Sequence, residues 1–129
     1  MKYLLSLSAI ALFTFLPRFA SAQDKKAQWP EMVAFHEVMA GTFHPAEKGD
    51  LKPLREKAGM LLDKAEAWKK SAVPQGYKPS QTSDTLKRLV KQCKAIKKAV
   101  KKQKTDKELT DLITQAHEVF HEIMEKCRE

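Results

Sequence analysis

Two cysteines are all that this 129-residue chain contains, too few for the disulfide framework that stands in for a core in many small exported domains. No stretch alternates polar and apolar residues in the manner of a half-buried strand, so sheet architectures are not expected. No apolar run is long enough to span a bilayer as a helix, which takes about 20 residues. Acidic residues are missing altogether between Leu86 and Lys104, where nine Lys or Arg occur.

What is present begins with an export signal. Lys2 supplies a positive start, Leu4 to Leu16 is an apolar run, and Ala20-Ser21-Ala22 is an A-x-A cleavage site. Residues 1–22 are therefore predicted to be a cleaved signal peptide, with Gln23 as the first mature residue. Because that residue is not Cys, lipid anchoring is not indicated. The expected location is secreted, in a bacterial periplasm. Removing 22 of 129 residues leaves 107, enough for one domain with a modest core. The formal charge of +8 includes Lys2 and Arg18 of the leader, which has no acid, so the mature chain carries +6.

Punctuation divides residues 23–129 into four helices. The first starts at Trp29-Pro30-Glu31, with proline where its missing N–H costs nothing. Its expected apolar face is Met32, Val33, His36, Met39, Ala40 and Phe43, and it should end within "GTFHPAEKGD", where Gly41, Pro45 and Gly49 interrupt. The second is expected to be capped by Asp50, to bury Leu54, Ala58, Leu61, Leu62, Ala65 and Trp68, and to stop before Val73-Pro74. "PQGYKPSQTS" reads as a loop. The third presents Leu86, Leu89, Cys93, Ile96 and Val100. Thr105 and Glu108 form an S/T-x-x-E capping box that starts the fourth helix at Asp106. That helix presents Leu109, Leu112, Ile113, Ala116, Phe120, Ile123 and Cys127. Four helices of similar length with short connections predict an all-α, antiparallel, up-down-up-down four-helix bundle.

In such a bundle, the turn near Lys104-Thr105 sets Cys93 level with about Ala116. Cys127 then lies eleven residues away, roughly 16 Å at 1.5 Å per residue, beyond what a disulfide spans. The two cysteines should be unbonded, with Cys93 in the core.

The last turns read "HEVFHEIM", and His117 to His121 spells HExxH. In metalloproteases that spacing places two imidazoles on one helix face to hold zinc, with the Glu as base. Here the motif closes a small bundle with no substrate-binding strand or second domain after it, and Glu118 points away from the seam. A protease is not expected. The i, i+4 pair remains good metal chemistry. Aligning the first and last helices sets His36 and Glu37 level with His121, Ala40 level with His117, and His44 a turn further on. All four histidines can then meet at one seam, which carries none of the lysines that Lys87, Lys94 and Lys101 place on the other side. His36, His44, His117, His121 and Glu37 are the candidate metal ligands, for zinc or copper first, in an exported carrier, buffer or sensor. The echo between "FHEVM" (35–39) and "FHEIM" (120–124) reads as similar composition only, with Phe120 in the core and Phe35 at its edge.

Methionines at helical spacing, Met32, Met39, Met60 and Met124, are read first as core filling. An exported four-helix bundle of this length, with Met32 early in the first helix and His117 or His121 late in the last, also resembles the small periplasmic cytochromes, cytochrome c-prime and its b-type relatives. The resemblance implies Met32 and His121 as axial ligands of a non-covalent haem b in an electron-transfer protein. The C-x-x-C-H attachment motif of the covalent members is absent; Cys127 in "EKCRE" stands alone. The four-histidine seam is likewise no part of the cytochrome pattern.

A third possibility rests on the basic third helix, as an interaction module for an acidic protein partner or an anionic membrane surface. No aromatic side chains interleave with these lysines, which argues against nucleic acid.

Overall fold

A computed structural model describes residues 29–129; the predicted signal peptide and Gln23 lie outside the described residues. Four helices follow in order: α1 (Pro30–Glu47), α2 (Lys52–Lys70), α3 (Pro79–Lys101) and α4 (Asp106–Lys126). Each packs on the next, and α4 closes the ring on α1. This is the up-down-up-down bundle that the short connections predict. No strand forms among the described residues, apart from a single antiparallel bridge between Tyr77 and Arg128.

The α2 face is as expected: Leu54, Ala58, Leu61, Leu62, Ala65 and Trp68 are all buried. Asp50 accepts from the Lys52 amide at 3.1 Å, although Leu51 takes the N-cap position. The capping box of α4 closes in both directions. Thr105 Oγ1 accepts from the Glu108 amide, and the Glu108 carboxylate accepts from the Thr105 amide. Across α3 and α4, Gln92 meets Gln115 and Arg88 pairs with Glu122, the register on which the cysteine argument stands. Both cysteines are free and buried, and Cys127 lies beside Thr85, near the start of α3.

Three expectations are corrected. Pro45 does not break α1, which runs on to Glu47. A proline in the last turn sacrifices one hydrogen bond, that to the Gly41 carbonyl, and Gly41 is exposed to solvent. The helix still ends inside the expected stretch, at the expected Gly49, in a Schellman turn with Gly49 at φ +86° and its amide on Ala46 O, and the Asp50 amide on Pro45 O. α3 begins at Pro79, inside the predicted loop, and buries Thr82 and Thr85. Pro79 at the first helical position makes that start favourable.

The third correction concerns the face of α1. Phe35 is wholly buried, whereas Val33 is 44 % exposed and His36 is exposed. Phe35 packs against Trp68 and Phe120, with ring centroids at 5.4 and 5.9 Å. The helix has turned to seat its bulkiest ring, together with Met39 and Phe43, rather than the side carrying His36. At the opposite end of the molecule from the α3–α4 turn, Trp29 contacts Trp68 and Tyr77 and donates to Ser71 Oγ at 2.7 Å.

Closing the ring also sorts the charge. α1 has Glu31, Glu37 and Glu47 with no Lys or Arg, and α4 has six carboxylates against Lys107 and Lys126. α2 has six basic residues against three acids, and α3 has seven against Asp84. The α1–α4 half is thus net −7 and the α2–α3 half net +9, facing opposite ways.

Candidate metal centre

His117 and His121, one turn apart on α4, lie on the side that meets α1. Their Nε2 atoms are 3.2 Å apart. A proton on either nitrogen donates to the other, and a cation held between them would replace it. Two imidazoles binding one ion at about 2.0–2.1 Å with tetrahedral angles have nitrogens about 3.3 Å apart. The pair stands at that separation.

Aromatic rings of the core back these imidazoles. Phe43 stacks on His117, with centroids 3.8 Å apart and planes 12° from parallel. Phe120 stacks on His36 at 5.1 Å and 4°. His44 lies edge-on to His117 at 6.5 Å. His117 had been expected level with Ala40 but meets Phe43 and His44, about one turn further along α1. Side chains lean toward the N-terminus of their own helix, so His117 leans toward the start of α4, which runs beside the end of α1.

The four histidines therefore share one seam, but they are not one preformed cage. Among the described residues, no three His, Cys, Asp or Glu side chains are grouped to hold an ion. His36 stands below the pair, in a groove it shares with His121. Glu37 is exposed. The carboxylates that do meet the histidines are ones the sequence reading missed. Glu47 lies 3.1 Å from His44 Nδ1 and Glu125 lies 3.5 Å from His121 Nδ1. Their i, i+3 and i, i+4 spacing was the available signal. A carboxylate on one ring nitrogen orients an imidazole and raises the basicity of the other nitrogen.

Electrostatics at the seam favour neutral imidazole on His117. Burial pushes its pKa below the ordinary value, charge on His121, His44 and His36 adds to the shift, and Glu47 opposes it. Neutral imidazole is the form that binds metal. Glu118 is exposed.

Met32 and His121, the axial pair that the cytochrome resemblance implies, line one surface groove. The groove is open to solvent and holds about 250 Å³. The interior behind it is filled by Phe35, Trp68 and Phe120.

Comparison of the chain with models of protein families, with characterised proteins and with solved structures gives no match.

Proposed function

We propose that the protein is an exported transition-metal-binding bundle, a carrier, buffer or sensor of zinc or copper rather than an enzyme. His117 and His121 are the primary ligands. His44 is the nearest further imidazole, reaching the pair by a change of rotamer, and water completes the shell. His36 acts from the neighbouring groove. Glu47 and Glu125 orient the imidazoles. The observation that carries this reading is the 3.2 Å separation of the two Nε2 atoms, which matches the edge of a tetrahedral site. The net −7 of the α1–α4 half draws cations to this face over the basic one.

Elemental analysis of the purified protein, followed by zinc titration of His117→Ala and His121→Ala, tests the proposal. Stoichiometric metal and at least about 10-fold weaker binding in each variant are expected. Zinc affinity unchanged in both variants would refute it.

The opposite half favours a second, compatible role. Lys87, Lys91, Lys94, Lys98 and Lys101 recur at helical spacing on α3 and are all exposed, a stripe suited to an anionic membrane surface or an acidic partner. Salt-sensitive sedimentation with vesicles rich in anionic lipid tests it, and equal sedimentation with neutral vesicles would refute it.

A further inference from the structure

The groove below the histidine pair has a donor set of its own. It is lined by Met32, Val33, His36, Phe120, His121 and Met124, so two methionines and two histidines line one small, largely apolar cavity. Met32 and His36 are four residues apart on α1, and His121 and Met124 three apart on α4, each spacing that puts both side chains on one helix face. Because the helices are antiparallel, the two pairs oppose each other across the groove. The geometry points to a copper(I) site here, formed by Met32, His36 and Met124, with His121 as the wall between it and the His117–His121 pair. It rests on the reading of this face as a cation site and names the ion.

The chemistry selects the ion. Thioether sulfur is a soft donor that favours Cu(I), whereas zinc at tetrahedral sites takes imidazole, thiolate or carboxylate. A monovalent ion is also the cheaper one to bring into an apolar groove. Core filling, the ordinary role of methionine at helical spacing, accounts for Met39, which is wholly buried. Met32 and Met124 are only half-buried, at the rim of the cavity. Met32 Sδ accepts the Tyr77 hydroxyl at 3.8 Å, which holds the sulfur in place and leaves it a second lone pair. His36 is held flat against Phe120. His121 Nε2 meets His117 and its Nδ1 meets Glu125, so that ring serves the upper pair. Binding involves no change in oxidation state; copper enters and leaves as Cu(I).

The test is competition for Cu(I) against a chromogenic chelator, anaerobically with ascorbate, on the wild type and on Met32→Leu, Met124→Leu and the double variant, with zinc titrations in parallel. Leucine keeps the volume, so the fold should persist, and circular dichroism melting verifies it. Loss of an outer-shell partner alone costs metal sites about 10–100-fold, so losing both sulfurs should cost at least about 100-fold in Cu(I) affinity. Zinc affinity should stay within about 2-fold, because no thioether serves that ion. Copper K-edge absorption of the wild type should show a sulfur neighbour that the double variant lacks, a readout independent of affinity. Unchanged Cu(I) affinity, equal losses for both metals, or zinc bound without Cu(I) would each overturn this site and leave the histidine pair standing. A wild type that binds neither metal would overturn both.

Discussion

Phe35 of α1 and Phe120 of α4 meet inside the bundle with ring centroids 5.9 Å apart, and the residue after each, His36 and His121, lines the same surface groove. The repeated "FHEVM" and "FHEIM" segments are therefore placed alike, against the expectation that Phe35 lies at the edge. Each phenylalanine anchors its helix, and each following histidine is carried out to the seam.

That arrangement separates two neighbouring apolar residues of α1. Phe35→Ala should cost about 3–5 kcal/mol, since a fully buried ring leaves a cavity. Val33→Ala, at an exposed position, should stay within about 0.5 kcal/mol. Urea denaturation of both variants measures the contrast, and the reverse order would restore the face first read from the sequence.

The α3–α4 turn offers a stabilising change. Gln103 sits at φ 54°, with its amide on Val100 O and the Lys104 amide on Ala99 O, the position where helices usually end in glycine. A left-handed conformation costs a side-chain-bearing residue about 1–2 kcal/mol, partly offset by glycine's greater freedom when unfolded. Gln103→Gly should raise stability by about 0.5–1 kcal/mol in thermal melts.

Burial pushes the Cys93 thiol up to about 12, so the reactive thiolate is scarce at neutral pH. In native protein Cys93 should resist a thiol reagent. After denaturation without reductant, both cysteines should react. Failure of both to do so would reveal a disulfide and break the register argument.

For His117 the sign follows from its lowered native pKa. The unfolded chain binds a proton first as pH falls below the ordinary imidazole value of about 6.5, so acid favours unfolding. The contribution is intact above that value, declines as pH drops through it, and levels off below the native pKa. His117→Gln should flatten the melting temperature between pH 7.5 and 5, relative to wild type, on metal-free protein.

Glu118→Gln separates a metal-binding pair from a protease. It should leave zinc affinity within about 2-fold, because Glu118 is not among the ligands. Zinc at 100 times its dissociation constant should stabilise wild type and variant alike by about 2.7 kcal/mol. A zinc-dependent peptidase activity lost in this variant would contradict the assignment.

Much of the fold is legible in the chain because its signals are local. The α2 face repeats at 3.6 residues, Thr105 and Glu108 cap α4 from three residues apart, and the near-equal helices leave connections too short for anything but antiparallel neighbours. Helix rotation is not local. The same letters let α1 bury either Val33 and His36 or Phe35, and only the partner surface of Trp68 and Phe120 favours the larger ring. Pro45 reads as a stop, yet the packing of Phe43 and Ala46 outweighs one lost hydrogen bond. The HExxH spacing alone places His117 and His121 together, since one helical turn determines it. That Phe43 backs His117 and that two methionines share a groove with His36 depend on how α1 lies against α4, whereas Glu47 and Glu125 meet His44 and His121 within their own helices and were legible in the spacing. The acidic and basic halves have the same origin. Each helix carries its own charge in its sequence, but only ring closure makes neighbours of α1 and α4, whose side chains are more than seventy positions apart along the chain at the groove.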